Sequence, residues 1–245
     1  MNQLSNAFSL LELDVEDDKE EITSAAENTK KANGNVKKET NSSNGATSTK
    51  NDRDYLEKDY KLPLVWIDLE MTGLNIEVDR ILEIACIITD GKLTKSVEGH
   101  CLLVIHQTKE CLDKMGEWCV EHHAASGLTE RVLKSTISEK EAEEQVIEFV
   151  KRHVDLSHSP LLAGNSIYVD FMFLKKYMPN LASIFSHVVV DVSSVKALCC
   201  RWFPKDNKNA PRKENKHRAM EDIKESIAEL KYFKENVFKP SRPKK

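Results

Sequence analysis

The chain has 245 residues, long enough for one large or two small domains, and its 40 acids against 36 Lys and Arg leave a formal net charge of −4. Residues 1–61 hold 13 acids and 9 bases, which is the whole deficit, so residues 62–245 balance with 27 of each. That balance excludes a protein that coats nucleic acid through bulk positive charge, and no apolar run approaches the roughly 18 residues of a membrane span.

In chain order, Leu4, Phe8, Leu11 and Leu13 come first. Their spacing fits either an amphipathic turn or a leucine-type nuclear export signal. Residues 16–53 are almost all polar, with too few apolar side chains to offset chain entropy, and are expected to be disordered. The first arginine is Arg53 and acids abound before it, unlike an Arg-rich, acid-poor transit peptide. The expected compartment is therefore the cytoplasm, with the mitochondrion or nucleo-cytoplasmic shuttling as alternatives. The six cysteines form no Cys-x-x-Cys pair and follow no secretory signal, so they read as reduced thiols.

Beyond residue 61 the texture changes. Apolar runs at 64–69, 81–89 and 100–106, joined by Asp90-Gly91 and Glu98-Gly99, predict three strands in an antiparallel meander. Residues 139–154 carry Ala142, Val146, Phe149, Val150 and His153 on one helical stripe, and Ser138 with Glu141 forms a capping box at its start. A fourth strand is expected at 160–164, a helix at 166–178, a fifth strand at 188–192, a helix at 193–203, a polar loop at 205–216 and a last helix at 217–237. This order predicts an α/β domain: a mixed five-stranded sheet with helices on its faces. The expected layout is a polar tail (1–61), one domain (62–238) and a short basic tail (239–245).

The informative residues are carboxylates on apolar faces, since buried charge demands a partner. Asp68 and Glu70 leave one side of the first strand together, where they repel unless a cation lies between them. Asp170 heads a helical stripe continued by Phe173, Leu174 and Tyr177. Asp222 borders the apolar side of the last helix, beside Ala219 and Ile223. His217 stands at or before the first turn of that helix, a partly wet position that suits a base. Hard oxygen donors with one His suit Mg²⁺ or Mn²⁺ rather than structural zinc. Cys119, His122 and His123 could start a zinc set, but no second pair accompanies them.

The segments WIDLEMTGL, GNSIYVDFMFLKKYMP and HRAMEDIKESIAELKYF together resemble the oligoribonuclease family, 3′-to-5′ exoribonucleases of the DEDDh exonuclease superfamily. The resemblance covers about residues 62–238 and leaves out the N-terminal tail. It implies a three-layer ribonuclease H-like fold, a homodimer, two divalent cations (Mg²⁺ or Mn²⁺) and single-stranded RNA substrates of two to about five nucleotides. By this match Asp68, Glu70, Asp170 and Asp222 are metal ligands and His217 is the general base. Leu74 matches a residue that wedges between two bases, Trp118 an aromatic platform, His123 a phosphate contact and Ser166 a cap on the 5′ phosphate. His187, with Val188, stands where bacterial relatives carry Tyr-Arg at the substrate. The guanidinium is thus missing there, and Lys213 or Arg218 are the nearby basic residues. Two rival readings are an exonuclease on long RNA or DNA, which would want an extended basic groove, and a non-catalytic RNA-binding protein on the same fold.

Overall fold

The computed structural model describes residues 61–97, 99–157, 159–212 and 218–238. The N-terminal apolar patch, the polar tail up to residue 60, Lys213, His217 and the basic tail lie outside them. In chain order the elements are β1 (Leu64–Met71), β2 (Ile81–Thr89), β3 (Cys101–Val104), α1 (Lys109–Leu112), α2 (Glu117–Ala125), α3 (Leu128–Lys134), α4 (Glu139–His153), β4 (Leu161–Gly164), α5 (Tyr168–Tyr177), α6 (Pro179–Ala182), β5 (Val189–Asp191), α7 (Val192–Trp202), α8 (Pro204–Lys208) and α9 (Ala219–Asn236).

The strands form one sheet in the order β3-β2-β1-β4-β5. β1, β2 and β3 are an antiparallel meander, and β4 and β5 continue from β1 in parallel. Alternation along β1 sorts its side chains between two cores. Val65, Ile67 and Leu69 join Ile84, Cys86 and Ile88 against α4 and α5. Leu64 and Trp66 join Ala85 and Ile87 against Ala219, Met220 and Ile223 of α9. The sheet is thus covered on both faces, as its composition requires. Every residue of β2 is buried, which explains why its sequence reads as a continuous apolar run rather than an alternation. Trp66 is fully buried, and its indole N–H donates to Thr89 Oγ1 at 2.9 Å, which leaves no orphan donor in the centre.

The capping box at Ser138 and Glu141 is formed, and Ala142, Val146 and Val150 are the buried stripe of α4. The structure adds helices where the sequence pattern gave none. α1, α2 and α3 fill the link between β3 and α4. Leu112, Leu128 and Val132 pack there with Leu82 in a separate small cluster. Residues expected in the polar loop form α8, entered through Pro204 in its first turn, a position where proline needs no partner.

The turn after β2 depends on Asp90. Its carboxylate accepts from Thr94 N (2.7 Å), Thr94 Oγ1 (2.7 Å) and Lys95 N (3.0 Å). Burial alone would raise the carboxyl, but these donors hold it below the ordinary aspartate value. A depressed native pKa contributes stability that is present above the unfolded value and lost as the pH falls through the native one. Asp90→Ala is therefore expected to cost about 1–3 kcal/mol at pH 7. In chemical denaturation the gap to the parent should close as the pH drops below about 4.

Candidate active site

The site lies where β1 outruns β4. β4 pairs only with Leu64–Trp66 of β1, so the rest of β1 has a strand neighbour on the β2 side alone. On the open side the backbone N–H of Leu69 is taken by Asp170 Oδ1 at 2.9 Å. Asp170 sits in the first turn of α5 and is only 6% exposed. Burial pushes its carboxyl up to about 7, against the Leu69 N–H and its own backbone, with Asp191 adding to the rise.

Asp68 and Glu70 leave β1 on the opposite face, toward α9, whose first turn carries Asp222. One carboxylate oxygen from each of Asp68, Glu70 and Asp222 lies within 4.8 Å of the others, and all three residues are half-buried. Burial raises the Glu70 carboxyl well above its ordinary value, and Asp222, Glu83 and Asp170 raise it further against Arg131. Acids held this close without compensation oppose each other's ionisation. A cation relieves that opposition, and three hard oxygen donors beside a fourth acid fit a divalent one.

Leu74 is carried by the loop 72–80, which is fastened along its length. Asp79 accepts from Thr72 Oγ1 and from Asn75 N, each at 2.8 Å. Tyr177 of α5 donates its hydroxyl to Ile76 O at 2.7 Å. Arg80 meets Glu139 through Nε (3.0 Å) and Nη2 (2.8 Å). Leu74 itself packs half-buried on the edge of the core.

His123 is buried on α2 and its Nε2 donates to Met71 O at 2.9 Å, one residue beyond Glu70. Trp118 stacks on His122 with ring centroids 3.7 Å apart. The zinc alternative finds no support among the described residues. The group of donors close enough there to share a metal is Asp68, Glu70 and Asp222, and the His123 Nε2 is engaged with Met71 O.

Ser166 turns the chain from β4 into α5 with a positive φ of 50°. Its N–H faces Asp191 Oδ1 and Ser193 Oγ, both at 3.0 Å, and its hydroxyl lies 3.0 Å from that of Ser193. Asp191 also accepts from Ser193 N at 2.9 Å, capping α7. Sequence reasoning passed over Ser193 and Asp191, although Asp two residues before Ser at a helix start is a capping signal. It also passed over Glu83 and Arg131, which form an ion pair of 2.7 Å beside Glu70. His187 is exposed and lines an open cleft with Phe171, Lys175 and Phe185. No described contact joins it to the acids. His217 lies outside the described residues, directly before Arg218 at the start of α9.

A family model described as exonuclease, of the RNase T group, matches residues 65–230. The chain is 60% identical over 242 residues to an oligoribonuclease of Arabidopsis thaliana, covering 99% of this chain and 100% of that protein. It is 49% identical over 176 residues to an oligoribonuclease of Marinobacter nauticus, covering 72% of this chain and 96% of the relative. The mitochondrial oligoribonuclease of Homo sapiens is 48% identical over 176 residues, covering 72% and 73%. Among solved structures, E. coli exonuclease I in complex with single-stranded DNA superposes with a TM-score of 0.58 at 15% identity. It covers 73% of this chain but only 42% of that longer one, so the likeness is one of fold.

Gly73 is where the Leu74 loop is tightest. A Cβ there would stand 2.5 Å from Asp79 Oδ2, so Gly73→Ala must displace the carboxylate that fastens Thr72 and Asn75. The expected result is a loss of about 1–3 kcal/mol, with amide exchange quickened locally at Asn75 and Asp79. Unchanged exchange at those amides would show that the loop is held by other means.

Proposed function

The chain belongs to the oligoribonuclease family, and we propose that it is a 3′-to-5′ exoribonuclease that degrades very short RNA, dinucleotides above all, to nucleoside 5′-monophosphates. The observation that carries this reading is the convergence of Asp68, Glu70 and Asp222 within 4.8 Å, with Asp170 fixed to the backbone of the strand between the first two. These four acids would hold two divalent cations, Mg²⁺ or Mn²⁺. When bound, such ions polarise a phosphodiester and make a water nucleophilic near neutral pH. His217 would serve as the base that accepts a proton from the attacking water. Leu74 wedges between the two bases, Trp118 is their aromatic platform, His123, whose Nε2 is engaged with Met71 O, is left its other ring nitrogen for a phosphate, and Ser166, its hydroxyl set by Ser193, receives the 5′ phosphate. His187 contributes a weaker substrate contact than the Tyr-Arg of bacterial relatives.

The catalytic unit is assigned to residues 62–238, with flanking tails at 1–61 and 239–245. It is read as a homodimer. The exposed apolar side chains of Leu198, Trp202 and Phe203 near the end of α7 support a protein–protein face there. No helix among the described residues is long and apolar enough to cross a membrane. The cytoplasm is the proposed compartment; the mitochondrial form in Homo sapiens makes the mitochondrion the principal alternative, with nucleo-cytoplasmic shuttling a further one.

Asp68→Asn, Glu70→Gln, Asp170→Asn and Asp222→Asn are each expected to leave less than about a tenth of the parent turnover, because losing a cation raises the barrier by several kcal/mol. His217→Ala should lower kcat more than it raises KM, since a base acts in the transition state. In side-by-side digestion of 5′-labelled 2-mer, 7-mer and 24-mer RNA with Mn²⁺, the 2-mer is expected to have the highest kcat/KM. Equal values for the 2-mer and the 7-mer would overturn the short-RNA reading, and preference for the 24-mer would favour the long-substrate rival.

A further inference from the structure

β2 is an apolar strand with one acid in it. All nine of its residues are buried, and Glu83, only 3% exposed, is the single carboxylate among them. In the antiparallel register Glu83 stands directly opposite Glu70. Opposed residues project to the same face, with Cβ atoms about 4.5–5.5 Å apart, and like charges in that arrangement repel. Glu83 is kept there by Arg131, whose Nη1 donates to its Oε2 at 2.7 Å.

Arg131 belongs to α3, which is fixed to β2 by Leu128 and Val132 packing on Leu82. The other groups that face Glu83 are Glu221 and Arg218 at the start of α9, one of each sign. Glu83 and Arg131 act on Glu70 in opposite senses. The Glu83 side chain is 4% exposed and that of Arg131 45%, and such a partly exposed pair contributes little to stability by itself. Its position against Glu70 therefore calls for a role in the site.

We propose that Glu83 and Arg131 are a positioning pair for the metal-holding acids: Glu83 adds a negative charge that strengthens their hold on a divalent cation, and Arg131 occupies the Glu83 carboxylate so that it stays out of the ligand set. This rests on the reading of Asp68, Glu70 and Asp222 as ligands. It is a claim about charge placement, and it has a signed consequence. Removing Glu83 takes away a negative charge and leaves an uncompensated guanidinium beside the site. Removing Arg131 leaves a carboxylate with no cation to hold it, opposite Glu70.

The test is calorimetric titration of MnCl₂ into the full chain without RNA, with each variant's melting temperature measured alongside. Glu83→Gln is expected to weaken Mn²⁺ binding at least about tenfold, the effect that one charge about 6 Å from a divalent ion has even at the dielectric of bulk water. Arg131→Gln is expected to bind Mn²⁺ at least as tightly as the parent while its turnover on a dinucleotide falls. Combining the two should return the affinity to within about twofold of the parent, and Arg131→Lys, which keeps the charge, should do the same. Weakening by both single variants alike, in step with their melting temperatures, would show a purely structural pair and overturn the proposal. So would an unchanged affinity in Glu83→Gln. Absence of Mn²⁺ binding by the parent, or binding that survives Asp222→Asn intact, would instead overturn the metal-site reading beneath it.

Discussion

The hydrogen bond from Leu69 N–H to Asp170 joins the fold to the site. β1 is longer than the neighbour it pairs with on one side, and an unpaired N–H at that buried edge would cost as much as a lost hydrogen bond. A carboxylate on α5 meets that need. It can do so only because the chain leaves β4 tightly. Gly164 ends β4 so close to β1 that a Cβ would lie 2.9 Å from Ile67 O, and Ser166 then turns the backbone through a positive φ into α5. The short β4, the glycine, the strained serine and the acid are one device. It sets a carboxylate at the end of β1, beside the strand whose other face bears Asp68 and Glu70.

The parts of this that are local in sequence were legible there. Asp68 and Glu70 share a strand face at spacing two. Asp170 heads a stripe that includes Phe173 and Leu174, both buried. The three-strand meander is marked by its apolar runs, and α4 by its capping box. What stayed hidden is set by contacts between distant segments or by weak periodicity. α2 places Trp118, Cys119, His122 and His123 in nine residues with polar and apolar positions mixed around the helix, so no stripe announces it. α8 is too short for any period to show. The Glu83–Arg131 pair spans 48 residues, and neither partner reveals the other. Yet Glu83 obeyed the same rule that singled out Asp170, an acid inside an apolar run, and the length of the flanking apolar sequence concealed it. Ser193 was hidden by its ordinary appearance as a helix-start serine.

Electrostatics divide residues 62–245 into a neutral whole and an acidic point. Residues 62–245 carry no net charge, while four carboxylates gather around the end of β1. An anionic strand is repelled by such a point until cations occupy it. Affinity for nucleic acid that grows with length comes from successive phosphate contacts and the counterions they release. A domain whose acids and bases balance offers no bulk attraction that grows with each added nucleotide. The charge distribution therefore favours substrates whose recognition is concentrated at one or two nucleotides.

The fastening of the loop 72–80 bears on the same point. A short ligand offers few contacts and cannot meet a large ordering cost at its site. Here the ordering is done in advance: Asp79 ties Thr72 and Asn75, Tyr177 ties Ile76, Lys176 meets Glu77 at 2.7 Å and Arg80 is forked onto Glu139. Leu74 is held against the core edge by these ties. The anchors for that loop come from α4 and α5, the helices that also pack the face of β1 opposite Asp68 and Glu70. The loop that carries Leu74 and the acidic strand thus share one support, so a displacement of α5 would move Leu74 and Asp170 together and keep the spacing between them fixed.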